Sequence, residues 1–238
     1  MKTESFTMVS DGKKIYGVVH FPERTLSPCV ICSHGLFSSK DSPKFIAIAE
    51  SLAVEGFVAI RYDHCGCGES EGKIEDTTVS GRLKDLESIV TFTNQHPGIN
   101  GTLGLLGSSM GGFISLLAAA RETFFKALAV WATPFFLRGA KKDFGEDGYP
   151  LLKDSFYEDL NKYNLIDVLG KIKYCLVLHG KNDELVPVWH AEQNYEGLSE
   201  PKQLEIFSGG DHRFTDEQHR KKAIRLSVEW FKTYLRTK

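Results

Sequence analysis

Short runs of apolar residues alternate along the chain with longer segments in which apolar residues recur every three or four positions. The short runs are typical of buried strands, and the longer segments are typical of helices with one apolar face. The predicted strands are 7–10, 15–21, 29–32, 57–60, 103–106, 127–132, 174–178 and 203–207. Strands that alternate with helices need crossover connections, so the pattern predicts an α/β protein with a mostly parallel sheet and helices on both faces.

Two segments depart from this alternation. Asp11-Gly12 separates the first two predicted strands and indicates a hairpin, which would add antiparallel strands at one edge of the sheet. Segment 134–171 is long, charged and aromatic, and it ends in no obvious strand before residue 174. We interpret it as an insertion at the carboxyl edge of the sheet, where a short lid would lie over a ligand. The whole chain, 1–238, is then one domain that carries this lid insertion.

Composition and charge exclude several classes of protein. Hydrophobic residues make up 42% of the 238 residues and charged residues 25%, which is the balance of a globular domain. The formal net charge of −2 favours neither nucleic acid nor an anionic membrane as a partner. The first residues carry no apolar signal-peptide core, and the five cysteines are an odd number. These features predict free thiols and a cytoplasmic protein, either a monomer or a homodimer.

Gly107-Ser108-Ser109-Met110-Gly111 has the pattern G-x-S-x-G between a predicted strand and a predicted helix. In that setting the central serine, Ser109, projects its hydroxyl from a sharp turn, and Gly107 and Gly111 let backbone pass close by. The start of the helix supplies N–H groups to an oxyanion. We therefore predict that Ser109 is a nucleophile. The alternative is a glycine-rich turn that serves packing alone.

A serine needs a base, and the base needs an acid to orient it. Asp183 follows the strand predicted at 174–178, and His212 follows the strand predicted at 203–207, in the order serine, acid, histidine. All three would meet at the carboxyl edge of the sheet. Glu184 is the rival acid, and Asp211 is expected to shape the histidine loop. Each of Asp183 and His212 alone could equally be an ordinary loop residue.

His34-Gly35-Leu36-Phe37 follows the strand predicted at 29–32, and the loop at this place is expected to supply an oxyanion donor. We predict an oxyanion hole formed by the backbone N–H groups of Leu36 and Met110. His34 precedes the serine in the chain, so a structural role is favoured for it over that of a catalytic base.

With these motifs in place, the chain resembles the α/β-hydrolase superfamily, and within it the bacterial cinnamoyl/feruloyl-esterase-like serine carboxylesterases. The matching pieces are His34-Gly35, the loop 63–70, Gly107 to Gly111, His179-Gly180-Lys181-Asn182-Asp183, and Asp211-His212. The resemblance implies the α/β-hydrolase fold with a lid. It also implies two-step hydrolysis of small-molecule carboxylic esters through an acyl-enzyme, with small to medium acyl groups and no metal or organic cofactor. Acyl thioesterase and serine aminopeptidase activities use the same triad and stay open.

Parts of the sequence also fit other interpretations. Cys29-x-x-Cys32 has zinc-ligand spacing, but in a strand residues three apart face opposite sides, which favours buried thiols. A catalytically silent hydrolase scaffold that binds a small ligand is a further alternative. Aromatic residues could line an acyl pocket or merely pack the lid onto the sheet. The candidates are Phe37, Phe135, Phe136, Phe156 and Tyr157, with Phe144 and Tyr149 in the same insertion.

Overall fold

The computed structural model describes residues 2–24, 26–137 and 151–236. In these residues eight strands form one sheet with the order β1-β2-β4-β3-β5-β6-β7-β8. The strands are β1 (Lys2–Ser10), β2 (Lys13–Phe21), β3 (Ser27–Ser33), β4 (Val58–Tyr62), β5 (Ile99–Ser108), β6 (Phe125–Trp131), β7 (Cys175–Gly180) and β8 (Lys202–Phe207). From β4 to β8 all neighbours pair in parallel, whereas β1 with β2 and β2 with β4 are antiparallel. The predicted mostly parallel sheet with an antiparallel edge is confirmed.

The predicted hairpin is also present. Asp11 and Gly12 both have positive φ, 49° and 78°, which is the backbone conformation of the tight two-residue turn that Asp-Gly favours. The turn fixes the register, so that Met8 pairs with Ile15. The same pairing carries β1 back to Lys2, five residues before its predicted start. The polar residues there gave no apolar signal, but their backbone groups bond to β2.

Helices cover both faces of the sheet. They are α1 (Pro43–Val54), α2 (Val79–Gln95), α3 (Met110–Arg121), α4 (Asp154–Leu160), α5 (Trp189–Gly197) and α6 (Glu217–Leu235), with 3-10 turns at Ile74–Asp76 and Leu169–Lys171. Apolar residues of α1 and α6 pack on one face, and those of α2, α3 and α4 pack on the other. Strand residues alternate between the two cores, so Cys29 lies in one and Cys32 in the other. Their predicted opposite orientation is confirmed, and both are buried free thiols.

The described part of the insertion is fastened to the body of the protein. Asp159 of α4 accepts hydrogen bonds from Ser80 at the start of α2, at 2.7 Å from the backbone nitrogen and 2.6 Å from the hydroxyl. Leu160 and Leu165 are buried in the core on the same side. Residues 138–150, which include Phe144 and Tyr149, lie outside the described residues. The lid and the single-domain organisation remain predictions.

None of the helices within 2–24, 26–137 and 151–236 has the length and apolar character needed to cross a membrane.

Candidate active site

The carboxyl ends of β3, β5, β7 and β8 lie at the same edge of the sheet, because these strands run parallel. Ser109 follows β5 directly, Asp183 lies three residues after β7, and His212 lies five residues after β8. The loop that begins at His34 follows β3. The fold therefore places Ser109, Asp183, His212 and the loop that begins at His34 at one edge of the sheet, on four different loops.

Ser109 occupies a sharp turn between β5 and α3. Its backbone angles are φ 56° and ψ −125°, a conformation that is costly for a residue with a side chain. The Ser109 N–H donates to Trp131 O at 2.8 Å, which ties the turn to the end of β6. The carbonyl of Ser109 accepts from the N–H groups of Gly112 and Phe113 and begins α3. The half-buried serine is thus fixed at the helix N-terminus in a strained geometry.

Glycines around Ser109 are required by close backbone contacts. A Cβ on Gly107 would lie 2.4 Å from Gly111 O, and a Cβ on Gly111 would lie 2.0 Å from Ser33 O. Strand β3, strand β5 and helix α3 therefore approach one another more closely than any side chain allows. On the other side of the turn, a Cβ on Gly35 would lie 3.3 Å from Ser109 Cβ and 3.7 Å from Ser109 Oγ. The loop after β3 thus passes close beside the serine.

Ser108 has a separate partner. Its hydroxyl accepts a hydrogen bond from Lys44 Nζ at 2.8 Å, at the start of α1. Burial lowers the pKa of Lys44 to about 8, with a further contribution from the positive charge of Arg213. The two neighbouring serines therefore have different surroundings, and Ser108 is bonded to a lysine on α1.

Asp183 and His212 form a hydrogen-bonded pair. His212 Nδ1 lies 2.8 Å from Asp183 Oδ2 and 3.0 Å from Oδ1, and both residues are buried. The N–H groups of Leu185 and Val186 donate to Asp183 Oδ1 at 2.9 and 2.7 Å. Burial opposes ionisation of Asp183, but hydrogen bonds from His179 and His212 outweigh it and hold the pKa of Asp183 below its usual range. Asp183 is therefore a carboxylate at neutral pH.

The rival acid lies elsewhere. Glu184 accepts the backbone N–H of His212 at 3.1 Å, so it fixes the loop and leaves the imidazole to Asp183. Asp211 accepts the N–H of Thr215 at 2.9 Å and also bonds the Thr215 hydroxyl. Both acids shape the loop that carries His212. Among the described residues, His212 has a direct hydrogen bond to Asp183 but none to Ser109.

The backbone N–H groups of Leu36 and Met110 were predicted to form the oxyanion hole, and this role stays a prediction. In the described part of the chain, neither the Leu36 N–H nor the Met110 N–H donates to a protein acceptor. Both belong to backbone that passes close beside Ser109 or follows it. His34 is buried, its Nδ1 lies 2.7 Å from Gly35 O, and its Nε2 accepts the N–H of His64 at 3.1 Å. His34 therefore links the loop after β3 to the backbone of His64 after β4.

Sequence reasoning missed a buried polar network beneath this loop. His64 Nε2 lies 2.9 Å from Ser33 Oγ, and His64 Nδ1 lies 3.2 Å from Asp85 Oδ2. Ser10 Oγ donates to the same carboxylate at 2.6 Å. In the sequence, Arg82 and Asp85 indicate such a network, since both are charged residues on the face of α2 that is otherwise apolar. Charged residues on such a face have partners in the core.

The aromatic residues predicted to line a pocket lie in different environments. Phe37 and Tyr157 are half-buried, and Phe156 is 2% exposed within the apolar core. Phe136 is 41% exposed, and its ring centroid lies 5.4 Å from that of Trp189 at the start of α5. The Phe135 N–H donates to His190 Nδ1 at 3.0 Å. Phe135 and Phe136 therefore belong to an aromatic group between the ends of β6 and β7, whereas Phe156 packs the insertion.

The family model of the prolyl oligopeptidase family matches residues 43–238, which is most of the chain. The chain belongs to the prolyl oligopeptidase family. The match spans the serine turn, the Asp183 loop and the His212 loop of this family member.

The chain is also similar to proteins named as esterases and thioesterases. Palmitoyl-protein thioesterase ABHD10, mitochondrial, of Pongo abelii is 28% identical over 216 residues, which cover 80% of this chain and 69% of that protein. Putative esterase YitV of Bacillus subtilis is 26% identical over 235 residues, which cover 87% and 89%. The ferulic-acid-bound Est1E of Butyrivibrio proteoclasticus has a TM-score of 0.82 at 21% identity, over 95% of this chain and 99% of that chain. The chain therefore has the α/β-hydrolase fold, and it is a serine-hydrolase-type member of that superfamily with esterase and thioesterase relatives.

Proposed function

We propose that this protein is a serine carboxylesterase that cleaves esters of small to medium acyl groups, aromatic ones among them, through a Ser109–His212–Asp183 triad. One observation supports the proposal above all. The buried Asp183–His212 pair and the strained Ser109 turn lie on loops at the same edge of the sheet. An ionised Asp183 fixes the proton of His212 on Nδ1, which leaves Nε2 as the basic nitrogen.

The reaction then has two steps. Ser109 Oγ attacks the carbonyl carbon of the ester while His212 Nε2 takes the proton of the serine hydroxyl. The electrons of the carbonyl double bond move onto the carbonyl oxygen. The N–H groups of Leu36 and Met110 donate to this oxyanion. When the intermediate collapses, the bond to the alcohol breaks and His212 returns the proton to the leaving oxygen. Water, activated by His212, attacks the acyl-enzyme in the same way and releases the acid and the free serine.

A thioesterase activity is the second candidate. It is favoured by the likeness, over 80% of this chain, to a protein named a palmitoyl-protein thioesterase. A thioester presents the same acyl carbonyl to Ser109, so the residues would have the same roles and only the leaving group would differ. The exposed aromatic group of Phe136 and Trp189 supports binding of an apolar acyl group in either case.

A panel of acyl substrates tests the proposal. It contains nitrophenyl esters from acetate to octanoate, methyl ferulate and an acyl-CoA, each measured with the wild type and with Ser109→Ala. We expect ester turnover that falls by about 10⁴-fold or more in Ser109→Ala. Ser108→Ala is the matched control and should stay within about tenfold of the wild type, because Ser108 faces Lys44.

The outcomes separate the candidates. Faster turnover of the acyl-CoA than of every ester would move the assignment to a thioesterase. Turnover that survives in Ser109→Ala, or no turnover by folded wild type, would refute the proposed activity.

A further inference from the structure

Arg82 is a buried cation that the proposed mechanism does not use. It lies on α2, its side chain is 1% exposed, and none of the ion pairs among the described residues includes it. Its guanidinium bonds instead to neutral groups of the loop after β3 and of its surroundings. Nη2 donates to Leu36 O at 3.0 Å, Nη1 to Gly35 O at 3.4 Å, and Nε to Thr77 Oγ1 at 3.0 Å.

These two carbonyls control the direction of two N–H groups. A trans peptide is planar, so its C=O and its N–H point in opposite directions. The Gly35 carbonyl shares a peptide with the Leu36 N–H, so Arg82 on the carbonyl side directs that N–H away from itself. His34 Nδ1 donates to the same Gly35 carbonyl at 2.7 Å and adds a second restraint. Since Gly35 lies close beside Ser109, the directed N–H belongs to backbone beside the serine.

The charge of Arg82 also matters. A buried cation is costly unless it is compensated, and here carbonyl dipoles take the place of a carboxylate. Burial, followed by the charges of His64 and Arg82, lowers the pKa of His34 well below its usual value, so His34 stays neutral. The Asp85 carboxylate also acts on His34, but the charge that bonds directly to the carbonyls of Gly35 and Leu36 is the positive charge of Arg82. It would favour negative charge in front of the Leu36 N–H.

We propose that Arg82 is a positioning residue for the oxyanion hole: it orients the Leu36 N–H through the Gly35 carbonyl, holds the next peptide through the Leu36 carbonyl, and places a buried positive charge behind them. This inference rests on the proposed function. Arg82 contacts no reacting atom, so it acts on the transition state through the loop. Its removal is expected to lower kcat and leave KM nearly unchanged.

The test compares Arg82→Gln and Arg82→Lys with the wild type on a nitrophenyl ester. Two inhibitors are used: a trifluoromethyl ketone, which adds the serine hydroxyl to give a tetrahedral oxyanion, and the matching methyl ketone, which binds without a stable adduct. For Arg82→Gln we expect a kcat lower by about 10²-fold, KM within about threefold, and a similar loss of trifluoromethyl ketone affinity. Methyl ketone affinity should be unchanged. Arg82→Lys should be intermediate, because an ammonium keeps the charge but lacks the planar fork that reaches both carbonyls.

Two further variants control for misfolding of Arg82→Gln and for the general effect of removing a buried guanidinium. If Arg82→Gln does not fold, Thr77→Val decides the question, since it removes only the acceptor of Arg82 Nε. It should lower kcat by about threefold to tenfold at constant KM. Arg61→Gln is the matched control, because Arg61 is another buried guanidinium, bonded to His20 and to Lys40 O. It should lower Tm and leave the affinity ratio of the two ketones as in the wild type.

The results that would overturn the inference differ from those that would overturn the activity. A kcat of Arg82→Gln within about twofold of the wild type, or of Thr77→Val if Arg82→Gln does not fold, would refute the role of Arg82 and leave the esterase standing. Equal losses of affinity for both ketones would show a structural role only. Absence of wild-type turnover, or turnover that persists in Ser109→Ala, would refute both the esterase and the role of Arg82.

Discussion

At the residue scale, the decisive contrast is between two neighbouring acids, Asp183 and Glu184. Asp183 accepts a hydrogen bond from the imidazole of His212, and Glu184 accepts one from the backbone N–H of His212. Turn-forming residues commonly include aspartate, so the chain pattern could not separate the two acids. In the structure, the N–H groups of Leu185 and Val186 donate to Asp183 Oδ1 and fix this carboxylate, and hydrogen bonds from His179 and His212 hold it ionised.

Asp183→Asn is therefore predicted to lower kcat/KM by about 10³–10⁴-fold, because an amide no longer fixes the proton of His212 on Nδ1. Glu184→Gln should stay within about tenfold of the wild type, since the new amide oxygen can still accept the His212 N–H. Steady-state kinetics of both variants on one nitrophenyl ester provide the measurement. A larger loss in Glu184→Gln than in Asp183→Asn would show that the acid has been misassigned.

Some site residues could be predicted from the sequence and others could not. Ser109 is flanked by glycines that the turn requires, and this requirement is visible as a local pattern. Arg82 and Lys44 bond to loop carbonyls and to Ser108 across 46 and 64 residues of chain, respectively. Such contacts depend on how helices α1 and α2 pack on the sheet. Local periodicity can place a charged residue on a buried face, but it does not identify the partner.

At the scale of elements, the turn between β5 and α3 is held by backbone contacts that exclude side chains. Gly111 lies against β3, and Gly107 lies against the first turn of α3. The serine can therefore keep its strained φ of 56° only while these three elements stay in close contact.

Gly111→Ala is predicted to destabilise the protein by about 3 kcal/mol or more, because the new methyl group would overlap the backbone of β3. Gly170→Ala is the matched control, since a Cβ there meets nothing within 4 Å. It should change stability by less than about 1 kcal/mol. Urea denaturation of both variants gives the two values. Similar stability of Gly111→Ala and Gly170→Ala would mean that β3 and α3 are not in tight contact.

The strands were predicted from apolar runs, and their observed bounds differ from the predicted bounds for a physical reason. Strand β5 begins at Ile99, four residues before the apolar run at 103–106, and ends at Ser108. Of the extra residues, Ile99 and Gly107 pair with β3 and Ser108 pairs with β6 through backbone groups, which any residue type can supply. Helix α4 lies in the insertion and is held by Asp159 on Ser80, a contact between residues 79 positions apart. Its place on α2 could not be inferred from its own seven residues.

At the scale of the whole molecule, the site is supported by imidazoles that are buried in neutral form. Burial, with the charge of Arg82, lowers the pKa of His64 to about 4, and the hydrogen bond to Asp85 opposes this only in part. In the unfolded chain His64 takes up a proton near pH 6.5, whereas in the folded protein it does so only near pH 4. Acid therefore favours the unfolded state, and stability is lost as the pH falls from 6.5 to 4.

The wild type is predicted to lose about 2 kcal/mol of unfolding free energy through His64 between pH 8 and pH 5. His64→Gln should be less stable at pH 8, because it loses the contact with Ser33, but it should lose about 2 kcal/mol less on acidification. Urea denaturation at both pH values provides the comparison. Equal pH dependence in the two proteins would show that His64 does not titrate as its burial requires.

The most direct test of the account is the identity of the residue that carries the acyl group during turnover. The wild type would be mixed with an excess of nitrophenyl butyrate, quenched in acid within the first turnovers, digested and analysed by peptide mass spectrometry. We expect one butyryl group on Ser109 of the wild type and none in Ser109→Ala. A butyryl group on Ser108 or another residue, or turnover during which Ser109 never carries a butyryl group, would contradict the assignment of Ser109 as the nucleophile.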